Sequence, residues 1–157
     1  MEYIKQNTSG LYLKMQQIGC FFRSACHMAE LATGKALTKA QLNRLWDQAI
    51  AFGYLDDDYN LKNSAAMANK ALIMLGSTGK FTEVGLFVNG VTSYYPAVSP
   101  EKRRIDYLIQ KISQPGLSKT HFRNVNNDGS LLWDPHDPVI TVSGIYYSIL
   151  YCFDEGK

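Results

Sequence analysis

Gln16-Gln17-Ile18-Gly19-Cys20-Phe21-Phe22 is the stretch that organises this chain. A polar pair of amides and a glycine give way there to an apolar run that opens on a cysteine. Phe21, Phe22, Ala25, Met28, Ala29 and Ala32 then recur at helical spacing, and Gly34 supplies a stop. Cys20 is therefore expected at the start of a helix. The N–H groups of a first turn have no intrahelical partner, and the helix dipole is positive there. Such surroundings favour a thiolate, the nucleophilic form of cysteine. Gly19 is expected to allow a sharp turn and the close approach of a substrate backbone.

Outward from this stretch, the front half reads as helical. Thr38-Lys39-Ala40-Gln41 has the form of a capping box, and Leu42, Leu45, Trp46, Ala49 and Ile50 form one apolar stripe up to Gly53. A third helix is expected from Asn63 or Ser64 to Leu75, ahead of Gly76. The stretch 81–98, rich in Gly, Val and Tyr, reads as a short strand or an irregular loop. Ser99-Pro100 looks like a cap and a first helical position, with Ile105, Leu108, Ile109 and Ile112 as the buried face of a further helix. Lys102-Arg103-Arg104 would then be a solvated face of that helix.

The back third reads as strands. Residues 120–125 and 130–133 flank Asn126-Asn127-Asp128-Gly129, a hairpin signal. Two prolines make 134–138 a loop, and 139–153 is β-branched and aromatic. Helices first and strands last define an α+β domain, and the 157 residues fit one domain spanning 1–157.

Composition narrows the function. The chain is 46% hydrophobic and 19% charged, enough apolar material for a core without a metal or disulfide staple. A net charge of +2 gives no argument for a nucleic-acid partner. No apolar run has the length of a membrane span, and the polar first ten residues lack the apolar centre of a signal peptide. The expectation is a cytoplasmic protein without a membrane partner, its three cysteines reduced. Cys20, Cys26, His27 and Cys152 lack metal-ligand spacing, and Asp56-Asp57-Asp58 lacks the calcium-loop register, so no cofactor or metal is expected.

Three histidines compete as a base for Cys20. His27 lies seven residues further along the same helix, roughly 10 Å away along its axis. His136 stands between two prolines in a loop. His121 lies in a strand-like run, which holds a side chain more rigidly. Asp134 follows it at the far end of the predicted hairpin, where it could fix the imidazole's tautomer and orientation. Cys20, His121 and Asp134 are thus the candidate nucleophile, base and orienting group. Gln16 and Gln17 carry amide donors near Cys20 and are the candidates for stabilising an oxyanion beside the Cys20 N–H.

With Gly19-Cys20-Phe21-Phe22, Thr120-His121-Phe122 and Leu132-Trp133-Asp134-Pro135 in this order, the chain resembles the papain-like cysteine peptidases. It is most similar to compact bacterial and phage members related to the double-glycine, bacteriocin-processing peptidases. The resemblance covers most of the chain in order but rests on about a dozen residues. It implies a helical half packed on an antiparallel sheet, and a thiol peptidase, amidase or isopeptidase acting on a peptide or protein substrate. It also implies an oxyanion glutamine six residues before the cysteine, where this chain has Lys14. Two other functions fit the same scaffold. One is an inactive binding protein, such as a phage-type inhibitor of a host system, with Tyr59, Tyr94 and Tyr95 as anchors. The other is an acyltransferase using the same three residues.

Overall fold

The computed structural model describes residues 2–116 and 119–156. Helices come first: α1 (Leu13–Ile18), α2 (Cys20–Thr33), α3 (Lys39–Ala51) and α4 (Ser64–Met74). Six strands follow: β1 (Lys80–Val88), β2 (Val91–Tyr94), β3 (Tyr107–Ser113), β4 (Thr120–Val125), β5 (Leu131–Trp133) and β6 (Gly144–Asp154). They form one sheet in the order β2-β1-β6-β3-β4-β5, antiparallel at every pairing. The α+β class holds. No helix among the described residues is long and apolar enough to cross a membrane.

Local chemistry sets the helix ends where the sequence marks them. Thr38 accepts from the Gln41 N–H while the Gln41 side chain accepts from the Thr38 N–H, the reciprocal capping box. Asn63 caps α4 through the Ala66 N–H. Gly34 takes a left-handed φ of 68° at the end of α2. α2 is the central helix, buried continuously from Phe22 to Glu30. It packs with α4 over one face of the sheet, where Ile109, Ile149 and Tyr151 join the main core. On the opposite face, Val84, Leu108, Val125, Leu150 and Cys152 form a second cluster, covered by Tyr94, Val98 and Ile105.

The helix expected over residues 99–112 is a correction. Only a 3-10 turn, Pro100–Lys102, forms, and the apolar residues enter β3 instead. β3 lies between β6 and β4 with both faces covered, so its burial is nearly continuous rather than alternating. Such a strand cannot be told from a buried helix by periodicity. Arg104 is not a solvated helix residue. It donates to the Phe153 carbonyl and the Asp154 carboxylate at the end of β6, and pairs with Asp106. Residues 81–98 hold more regular structure than one short strand or an irregular loop: all but 95–98 belong to a hairpin. This is the β1–β2 hairpin, turned by Asn89 and Gly90 with φ of 50° and 80°. Two positive φ angles are what a type I′ turn requires.

Candidate active site

Cys20 is the first residue of α2 and is half-buried. The joint before it is tight. Gly19 donates to the Met15 carbonyl at 2.8 Å, and a Cβ on Gly19 would meet that oxygen at 2.4 Å. Gly19 is thus required by the chain's own α1–α2 junction, not by the approach of a substrate. α1 itself was not foreseen, and it carries both Gln16 and Gln17.

β4 brings His121 to Cys20. The imidazole is 4% exposed, and its Nε2 lies 2.7 Å from Asp134 Oδ1 just beyond β5. With Nε2 committed to the carboxylate, Nδ1 is the ring nitrogen left for the thiol. Burial pulls the His121 pKa down, but the hydrogen bond to Asp134 and the nearness of Cys20 outweigh it and raise it to about 9. The imidazolium is the ring's form at neutral pH. Asp134 is buried and fully engaged: Oδ1 also accepts from the His136 N–H at 2.8 Å, and Oδ2 from the Ile140 N–H at 3.1 Å. Burial opposes its ionisation, yet these bonds and the His121 charge hold its pKa below the ordinary value.

Cys20 and His121 therefore share one cavity of about 680 Å³, lined also by Gln6, Gln17, Phe21 and Phe122 among others, and Asp134 reaches it only through His121. Such a volume suits a small substrate segment. Phe21 and Phe122 stack face to face beside the thiol, 4.1 Å between centroids. His136 also lines the cavity, but its Nδ1 donates to the Pro138 carbonyl and its ring meets His121 edge-on at 6.4 Å. His27 is not near this opening. It is packed between Tyr3 and Trp133 and bonded to Glu30.

The glutamines divide. Gln17 lines the cavity from an exposed position. Gln16 is turned away: its Nε2 donates to the Leu11 carbonyl at 2.8 Å, which corrects its expected role. Gln6, passed over in the sequence, lines the cavity and is 3% exposed. Its Nε2 donates to the Gln16 carbonyl at 3.3 Å, which leaves a second amide hydrogen, while its buried Oε1 has no protein partner among the described residues. The signal that could have found it is weak: a glutamine upstream of the cysteine, displaced by the six residues of α1.

Gln6 belongs to an N-terminal strap that fixes the Asp134 loop. The Gln6 N–H donates to the Pro135 carbonyl at 2.7 Å, Lys5 Nζ to the Asp134 carbonyl, and the Asn7 side chain bonds both backbone groups of Asp137. Trp133 anchors the same loop from beneath. Its ring stacks on His27 at 3.9 Å and faces the Arg23 guanidinium and the Lys5 ammonium. The tyrosines considered as partner anchors have packing roles. Tyr94 covers the second cluster, Tyr95 donates to Glu83, and Tyr59 stacks on Trp46.

Compared with family models, with curated proteins and with solved structures, the chain matches none.

Proposed function

We propose that this protein is a papain-like thiol hydrolase that cleaves a peptide, amide or isopeptide bond. One observation carries the reading. A cysteine at a helix start shares a cavity with an imidazole whose other nitrogen is held by a buried carboxylate. The helical half packed on an antiparallel sheet agrees with that superfamily's layout, as do the chain order and roles of Cys20, His121 and Asp134.

In the mechanism, the Cys20 sulfur attacks the scissile carbonyl carbon and forms a C–S bond. The His121 imidazolium gives its proton to the leaving nitrogen as the C–N bond breaks, leaving a thioester. His121, now neutral, takes a proton from water as the water attacks the thioester; the C–S bond breaks, the acid product leaves, and the Cys20 thiolate and His121 imidazolium are restored. Asp134 holds the ring and stabilises its cationic form. The Cys20 N–H, which the first turn leaves without an intrahelical acceptor, and the second amide hydrogen of Gln6 would stabilise the oxyanion, with Gln17 at the rim.

The test is site-resolved alkylation. Iodoacetamide near neutral pH should modify Cys20 rapidly and in preference to Cys26, and Cys20→Ala should remove the fast phase while Cys26→Ala leaves it. A Cys20 that reacts no faster than a free thiol in the intact fold would sink the nucleophile. A panel of electrophilic peptide probes would then separate hydrolysis from acyl transfer by whether water or an added amine releases the acyl group.

A further inference from the structure

The walls of the Cys20 cavity carry a charge that the proposed chemistry does not use. Lys111 lies on β3, directly opposite Phe122 of β4 on one side and Tyr147 of β6 on the other. Its Nζ faces three rings, Phe122 at 5.8 Å, Tyr147 at 5.6 Å and Tyr146 at 5.4 Å. Among the described residues no carboxylate pairs with it, although Lys62, Lys102 and Arg104 each find one. Aromatic faces attract an ammonium but accept none of its three N–H bonds in the way an oxygen does.

The cavity as a whole has one sign. Lys111 and Lys119 line it with His121 and His136, and no aspartate or glutamate is among its lining residues. Asp134 stands behind His121, its oxygens already taken by His121, His136 and Ile140. Lys111 is also close to the chemistry in structural terms, since Phe122 touches both Lys111 and Phe21, the neighbour of Cys20. A cation on a central strand of the sheet, lining the same cavity as the thiol, is placed to select a ligand rather than to solvate a surface.

We propose that Lys111 forms a carboxylate subsite of the Cys20 cavity, so that the preferred substrates carry a negative carboxylate near the scissile bond. The carboxylate belongs either to an acidic side chain or to a chain terminus. This rests on the thiol-hydrolase reading of the same cavity. The bare alternative is that the Lys111 stem only covers apolar surface while its charge stays in water. A methionine would preserve that covering and remove the charge.

The experiment uses bromoacetyl amino acids, whose warhead alkylates thiols without turnover. Bromoacetyl-Glu amide, bromoacetyl-Gln amide, bromoacetyl-Lys amide and bromoacetyl-Gln free acid are compared on the full chain, each rate divided by its rate with N-acetylcysteine. The Cys20 rate should favour Glu amide, Gln free acid or both over Gln amide by about tenfold or more, the size of a charge-assisted hydrogen bond. The arm that gains identifies a side-chain or a terminal carboxylate as the source. Lys111→Met should bring the ratio near one, and Lys111→Glu should turn the preference toward the Lys probe. Equal rates in the unsubstituted protein, or a preference that survives Lys111→Met, would overturn the subsite. If a Lys111-dependent preference persists at a Cys20 no more reactive than N-acetylcysteine, the subsite stands and the hydrolase reading falls.

Discussion

Two cysteine–histidine–carboxylate groups take their cysteines from α2, and their surroundings are opposite. Cys20 and His121 line a cavity with Asp134 buried behind the ring, whereas Cys26, His27 and Glu30 are sealed in the core. The imidazole–carboxylate contacts are nearly alike, 2.7 Å for His121 and 2.9 Å for His27. What differs is the rest of the charge. Glu30 also accepts from the Arg23 guanidinium at 2.6 Å and from the Leu37 N–H at 2.8 Å, so its charge is already answered. Burial, helped by the Arg23 charge, then lowers the His27 pKa, and burial pushes the Cys26 thiol up to about 12. Among the described residues no guanidinium hydrogen-bonds Asp134; the Lys5 ammonium donates to its backbone carbonyl, and the carboxylate oxygens are shared by His121 and two backbone N–H groups. On the proposed reading, the same three residue types serve catalysis in one setting and packing in the other, according to whether a guanidinium hydrogen-bonds the carboxylate.

Replacing the two carboxylates by their amides separates the arrangements most sharply. Asp134→Asn should reduce turnover by roughly 10²–10⁴-fold, because the imidazole loses both its orientation and the stabilisation of its charged form. The fold should survive. Glu30→Gln should leave Arg23 as a buried uncompensated charge and destabilise the protein by about 3–5 kcal/mol, with the chemistry of any folded fraction intact. Urea unfolding and labelling of Cys20, measured on both variants, check this. Equal stability losses with unchanged Cys20 reactivity in both would erase the distinction.

The buried group was half legible in the sequence; the residues of the proposed site were nearly all legible as candidates. His27 could be set aside as a base because seven residues of helix carry it away from Cys20. Nothing in the spacing foretold that Glu30 and Arg23 would pair inside the core, since charged residues on a helix ordinarily read as its wet face. Cys20 was readable from the change of composition around Gly19, and Asp134 from its place after the Asp128-Gly129 hairpin. Gln6 was hidden because α1 intervenes between it and the cysteine, and a six-residue helix leaves little periodicity to see. The strand β3 was misread for the opposite reason: burial on both faces removes the alternation that marks a strand. The Asn89-Gly90 turn was a plain hairpin signal passed over in favour of the looser composition around it.

The glutamines test how far the reactive arrangement extends. Gln6→Ala should lower kcat by roughly 10²–10³-fold if its amide hydrogen meets the oxyanion, with little change in the labelling of Cys20 by iodoacetamide, a reaction that forms no tetrahedral oxyanion. Gln16→Ala removes one bond to the Leu11 carbonyl and should cost only about 1 kcal/mol of stability. A Gln6→Ala enzyme that keeps full kcat would move the oxyanion role to Gln17 at the rim.

The smallest effect, and the most direct reading of the contrast, is in the titration of the two rings. NMR of the imidazole resonances should show His121 protonated at neutral pH and titrating near 9, while His27 stays neutral there. The linked stability terms have opposite signs. His121, with its pKa raised in the fold, stabilises the protein fully below the ordinary value of 6.5, and that contribution is lost as pH rises through about 9. His27, with its pKa lowered, contributes stability above 6.5 that is lost as pH falls through its folded value. His121→Gln should therefore flatten the alkaline side of the stability profile, and His27→Gln the acid side. In Asp134→Asn the His121 titration should move down from 9, because the carboxylate's hydrogen bond and charge both favour the cation. If it does not move, the thiol rather than the carboxylate holds the proton on the ring, and the contrast between the two groups would belong to their cysteines.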